Sequence, residues 1–192
     1  MPAQFQFQRV ALLILVSLFA LSACNVNVKK NEQGEDKNVD IKTPFGEIHV
    51  DKGADVKDTG LPVYAGSRVK QKNDNDNDEK NANVNISTSA FGLRVVAVEY
   101  ESDDSPSKLI AYYKDQLKKY GNVLECHTTG HNYSYHSDSH SDELKCEGDT
   151  GKNIELKAGT KNNQHIVSIE PRDKGSNFAL VYVRIRGKEG TI

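Results

Sequence analysis

Leu93-Arg94-Val95-Val96-Ala97-Val98-Glu99-Tyr100 alternates along the chain and is apolar on both of its sides. Successive strand residues point to opposite faces, so Leu93, Val95 and Ala97 line one face and Arg94, Val96 and Val98 the other. Beyond Arg94 neither face is suited to water, which predicts a central strand rather than an edge. A helix is expected next. Ser105 suits the N-cap, Pro106 the first helical position, and Asp103 and Asp104 stand at the positive end of the helix dipole. Leu109, Ile110, Tyr113, Leu117 and Tyr120 recur at three- and four-residue spacing, giving the helix Ser105–Tyr120 one apolar face. Lys118, Lys119 and Gly121 close it.

Downstream of Gly121 the pattern is wholly β, with candidate strands Val123–His127, Glu143–Glu147, Asn153–Ala158, His165–Glu170 and Phe178–Arg186. Upstream lies an internal echo. Val39-x-Ile41-x-Thr43 leads to Phe45-Gly46 and Val50, and Val84-x-Ile86-x-Thr88 leads to Phe91-Gly92 and Val96. Both read as strand, tight turn and strand. Between them, Leu61, Val63 and Tyr64 in a Gly- and Pro-marked stretch are expected to tuck against a core. Asp74, Asp76 and Asp78 alternate as in a calcium loop, but Glu79 and Asn85 stand where such a loop needs Gly and Glu, so a solvated loop is expected. The expected fold is α+β: an antiparallel sheet with one helix packed on one face, in the order ββαβββββ. It occupies residues 59–188, preceded by an accessory hairpin over 39–58 and a flexible polar tether over 24–38.

Ahead of the tether, Arg9 precedes an apolar run from Val10 to Ala20, interrupted at Ser17, which ends in Leu21-Ser22-Ala23-Cys24. Eleven residues are short of the about 20 that a helix needs to span a bilayer. Small Ser22 and Ala23 fit a cleavage site. The pattern resembles the lipobox of bacterial lipoproteins. That resemblance implies removal of residues 1–23 as a signal peptide and acylation of Cys24. Two or three acyl chains anchor stably where one binds reversibly, at about 0.8 kcal/mol per buried methylene. The residue after the cysteine is Asn25 rather than the aspartate that retains enterobacterial lipoproteins in the inner membrane, so the same resemblance favours the outer membrane.

An exported chain changes how its charges and cysteines are read. Without residues 1–23 the count is 24 basic (25 less Arg9) against 27 acidic side chains, a formal −3. No clustered basic face suited to nucleic acid is visible, and the acyl chains, not electrostatics, must hold the membrane. With Cys24 lipidated, Cys126 and Cys146 remain as an even pair in an oxidising compartment, and a disulfide is expected to clamp a hairpin.

Further strings are Lys42-Thr43-Pro44-Phe45-Gly46, Leu61-Pro62-Val63-Tyr64-Ala65-Gly66, Asn83-Val84-Asn85-Ile86, Phe91-Gly92-Leu93-Arg94-Val95, Gln164-His165-Ile166-Val167 and Phe178-Ala179-Leu180-Val181-Tyr182. Together they resemble a family of uncharacterised bacterial lipoproteins, chiefly from soil bacteria. The resemblance covers nearly all of the chain after Cys24 and lends no activity. The family pattern often has proline where this chain has Ala65, and its segment between the cysteines is shorter and poorer in histidine.

That segment holds His127, His131, His136 and His140, four of the chain's six histidines within 14 residues, with Asp138 and Asp142 nearby. Imidazole and carboxylate suit zinc or copper, which makes a periplasmic metal-binding lipoprotein the alternative reading. The spacing matches no closed structural site, and Ser, Gly and Asn predict a mobile loop. Nucleophile-elbow, phosphate-cradle and zinc-protease motifs are missing, and Ser134, His136 and Asp138 do not form a triad by adjacency. The expected function is therefore a non-enzymatic envelope lipoprotein, without cofactor, which binds a protein or glycan partner or supports the envelope.

Overall fold

The computed structural model describes residues 24–30, 36–70, 81–129, 142–146 and 151–187. Ten strands form one antiparallel sheet among these residues. They are β1 (Asn25–Lys30), β2 (Asp36–Thr43), β3 (Gly46–Asp51), β4 (Arg68–Val69), β5 (Asn81–Thr88), β6 (Phe91–Ser102), β7 (Leu124–Thr128), β8 (Asn153–Thr160), β9 (Asn163–Pro171) and β10 (Ser176–Gly187). The spatial order is β1-β2-β3-β5-β6-β10-β9-β8-β7, with the short β4 pairing to the end of β6. Helix α1 (Pro106–Leu117) continues as a 3-10 turn over Lys118–Tyr120. The antiparallel sheet with one helix follows the expectation, and β6 is central, between β5 and β10.

The helix covers one face. Leu109, Tyr113 and Leu117, spaced by four residues, are fully buried against Leu156, Val167, Ile169, Phe178 and Leu180. Burying one such side chain contributes about 1.5–3 kcal/mol, so this layer is the main source of stability. The Leu61–Tyr64 stretch tucks in as its apolar residues require: Leu61 is buried, and the Tyr64 amide donates to the Tyr113 hydroxyl at 3.1 Å. Burial raises the Tyr113 phenol well above its ordinary pKa.

The echoed hairpins share one turn chemistry. In β2–β3 the Thr43 hydroxyl donates to the Gly46 carbonyl at 2.9 Å and accepts from the Phe45 amide. In β5–β6 the Thr88 hydroxyl donates to the Phe91 carbonyl at 3.1 Å and accepts from the Phe91 amide at 2.8 Å. Each threonine satisfies backbone groups that the tight turn leaves unpaired.

Three expectations are corrected. The polar tether over 24–38 contains a strand: in β1, Val26 and Val28 pair with Ile41 and Val39. The β-branched alternation outweighs the surrounding Asn and Lys. The hairpin over 39–58 is not accessory, because β3 pairs with β5 from Gly46↔Thr88 to Asp51↔Asn83 and so joins the one sheet. Finally, Glu143–Glu147 is not a strand where described: Asp142–Cys146 has no ladder pairing, and Leu144 is its sole apolar residue beside Cys146.

Register exposes a second apolar layer. Val26, Ile41, Ile48, Ile86, Leu93 and Ile185 form an unbroken cross-strand row. Val28, Val39, Val50, Val84, Val95 and Val183 form the next, and Ala82, Ala97, Val181 and Ile166 a shorter third. These rows lie on the face opposite the helix, since Val98 and Tyr100 of β6 belong to the helix-side core. Val26 is 60%, Val28 41% and Ile48 37% exposed.

Candidate functional site

On the helix-side face, beyond the reach of the helix, the sheet is polar. One row runs Asn27–Asp40–His49–Asn85–Arg94–Arg184 and the next Asn25–Lys42–Glu47–Ser87–Gly92–Arg186. Arg94 and Arg184 are thus direct cross-strand neighbours, an arrangement of like charges that destabilises a sheet. Gly92 leaves room for the third arginine: a Cβ there would lie 3.2 Å from both Nε and Nη2 of Arg186. The three arginines, with Asn85 and Leu93, line a cleft of about 200 Å³.

The charge is only partly compensated. Arg94 Nη2 pairs with Asp58 Oδ2 at 3.0 Å, while among the described residues no carboxylate pairs with Arg184 or Arg186. Asp40, in the same row, is engaged by His49, whose hydrogen bond holds its carboxyl below the usual range. A guanidinium offers a planar fork of donors that matches phosphate or carboxylate and does not give up its proton. Such a cluster of guanidiniums can hold an anion such as phosphate or carboxylate.

Cys24 is exposed and immediately precedes β1. Because Asn25 shares a row with Arg186, Cys24 stands at the end of the sheet that carries the arginine cleft. The β2–β3 turn tips this same end and presents Phe45, which is 84% exposed.

The expected disulfide is formed: Cys126 and Cys146 are joined with a Cα–Cα separation of 5.3 Å. Cys126 is fully buried in β7 and shares its row with Glu155, so the bond draws Asp142–Cys146 to the helix-free face at the β7 edge. Of the expected metal ligands, His127 is exposed in β7, with Nε2 3.6 Å from Glu125 Oε1. His131, His136 and His140, like Asp138, lie outside the described residues, as do Asp74, Asp76 and Asp78 and the proposed signal peptide over 1–23. Among the described residues no group of three or more His, Cys, Asp or Glu side chains is placed to hold a metal ion.

Asp103 and Asp104, expected to serve the helix start, are used by other partners. Asp103 takes a forked pair of hydrogen bonds from Arg68 at 3.0 and 3.2 Å. Asp104 accepts from Lys108 at 2.5 Å and from the Tyr64 hydroxyl at 2.9 Å, and both contacts lower its pKa. Ser105 caps by backbone conformation alone, its hydroxyl bonding that of Ser107 at 2.9 Å rather than a helix amide.

His165 received no role from sequence, yet it is a junction. Its buried ring stacks on Tyr120 at 3.5 Å between centroids, and Nδ1–H donates to the Thr59 carbonyl at 2.8 Å. Burial lowers its pKa, so it is held neutral. The Tyr120 hydroxyl donates to the Gly60 carbonyl at 2.6 Å, closing the junction. The arginine trio was likewise unmarked. Its signal is one arginine in β6 and two in β10, both apolar strands, with shared parity that becomes visible only once the two are paired. Compared with family models, curated proteins and solved structures, the chain matches none.

Proposed function

We propose that this chain is a lipid-anchored lipoprotein of the bacterial cell envelope, held by acyl chains on Cys24 and facing its compartment from the outer membrane. It acts there as a non-enzymatic binding module for an envelope protein or glycan that presents an anionic group. The observation that carries the binding role is the cleft of Arg94, Arg184 and Arg186, two of them without a carboxylate partner among the described residues. The Cys126–Cys146 disulfide supports an oxidising compartment.

Two measurements test this reading. Intact mass of membrane-extracted protein is expected to show loss of residues 1–23 and added acyl mass at Cys24. Unprocessed chain in the cytosol would overturn the anchor. Calorimetric titration with inorganic phosphate is expected to give weak, salt-sensitive binding that the double variant Arg184→Gln, Arg186→Gln abolishes. Binding unchanged in that variant would remove the cleft from the reading.

A further inference from the structure

We propose that the helix-free apolar face of the sheet is the interface of a homodimer, seated on the same face of a second copy. The two long rows across β1, β2, β3, β5, β6 and β10 consist of Val, Ile and Leu alone. A sheet apolar on one face is stable when that face lies against another layer. Here α1 and the 3-10 turns at Val56–Thr59 and Lys118–Tyr120 pack on the opposite face, where Leu109, Tyr113, Leu117 and Thr59 are buried. On the helix-free face the described cover is the Asp142–Cys146 segment, which reaches from the disulfide at Cys126 in β7 to the β8–β9 turn, where the Lys161 amide donates to the Asp142 carbonyl at 3.1 Å.

Area and chemistry favour a second copy as occupant. Six strands spaced about 4.8 Å apart, bearing two full rows and a partial third at about 6.8 Å, give a flat area of about 500–600 Å². Two copies would bury about 1,000–1,200 Å², which reaches the lower bound of a specific protein–protein interface. A two-fold contact places a patch against itself, so it must not repel itself, and these rows carry no charge. Their β-branched surface is the kind that packs sheet on sheet. A bilayer is the poorer occupant. A face lying on lipid draws on aromatic residues and a basic rim, whereas these rows hold no aromatic residue, and Lys42, Arg94, Arg184 and Arg186 point to the other side of the sheet.

The position of Cys24 fits the same geometry, a point that rests on the lipid-anchor reading. Cys24 is at a strand end, not in the middle of a face. A two-fold axis parallel to the strands brings both copies of Cys24 to one end of the dimer, and both anchors then enter one membrane. Confinement there raises the effective concentration and offsets the small area.

The test uses residues 24–192 with Cys24→Ser, since the described sheet, helix and disulfide all lie from Asn25 onward. Sedimentation equilibrium through the micromolar range is expected to show a monomer–dimer equilibrium. Val28→Asp with Ile48→Asp, both at exposed positions of the face, should weaken it at least about tenfold while leaving the unfolding transition of the monomer in place. On the same background Ile48→Cys, beside the centre of the face, should cross-link to its own counterpart under mild oxidation. Phe45→Ser, at the hairpin tip, should change neither result. A chain that stays monomeric at every concentration, or a dimer indifferent to Val28→Asp and Ile48→Asp, would overturn the proposal. So would a monomer that binds uncharged phosphatidylcholine vesicles through those two residues, which would give the face to lipid. Acylation is read separately by mass, so the anchor and the dimer can fail independently.

Discussion

The half of the sheet beneath α1 and the half beyond it use the same alternation and bury it to different depths. Under the helix, Leu156, Val167, Ile169 and Leu180 have no exposed surface. Beyond it, Val26, Val28 and Ile48 keep more than a third of theirs, although their rows are as uniformly apolar. The difference teaches that alternation specifies which face of a strand avoids water, while the cover for that face is supplied by another element. In this chain one helix covers four strands on one side, and the proposed second copy covers six on the other.

The sharpest way to break the comparison is to truncate one apolar side chain in each half to alanine. Leu156→Ala, in the covered half, is expected to cost about 2–5 kcal/mol, since a fully buried leucine leaves a cavity. Val28→Ala, in the bare half, should cost well under about 1 kcal/mol in the monomer. Urea unfolding of the two variants measures both, and equal costs would mean that the two faces are equally covered.

The disulfide sharpens the picture of the helix-free face at its other edge. Cys126→Ala with Cys146→Ala opens a bridge of sequence separation 20 and should cost about 3 kcal/mol by loop entropy. A loss confined to that edge should leave the proposed dimerisation intact.

On the covered side, Gly60→Ala tests the junction between Thr59, Tyr120 and His165. Gly60 has φ +72, and a Cβ there would meet the Tyr120 hydroxyl at 2.5 Å, so about 1–3 kcal/mol of strain is expected in thermal unfolding. His165 gives the same junction a pH signature. Its folded pKa lies below the unfolded value near 6.5, so the unfolded chain takes up the proton first. Stability should therefore fall as pH drops from about 6.5 through the folded pKa, and His165→Gln should flatten that part of the urea-midpoint profile. A profile with the same slope in both proteins would show that His165 is not the group responsible.

The smallest effect is expected at the four clustered histidines. Replacing His127, His131, His136 and His140 with alanine should leave the melting temperature nearly unchanged, with zinc and copper bound weakly and without selectivity. Submicromolar, metal-selective binding by calorimetry, lost in that variant, would instead establish the metal-binding alternative.

How far the fold was legible follows from the range over which each signal acts. The central strand, α1 and both echoed turns are local: Val96 and Val98, the Leu109–Tyr113–Leu117 spacing, Thr43 and Thr88 all state their roles within one element. β1 was hidden because two valines among Asn and Lys read as solvated until Ile41 and Val39 are placed beside them. Cys146 drew the opposite error. Its pairing follows from the expected export and an even number of remaining cysteines, yet a disulfide needs no strand at both ends, and the Cys146 segment has none where described. The arginine cleft joins residues about ninety positions apart, so no window of sequence contains it.

The absence of any leash between Cys24 and β1 sets a limit on reach. A flexible segment of the length read from composition, over 24–38, would let a domain roam tens of ångströms from its anchor. With the anchor on Cys24, the ladder begins at the very next residue, Asn25↔Lys42. Height is then set by the sheet: β6 and β10, 12 residues each, rise about 40 Å at about 3.4 Å per residue. The arginine cleft sits at the low end of that span, beside Asn25 in register. Under the proposed anchoring this protein would consult only what lies against the membrane, and a ligand further out would have to be brought down to it.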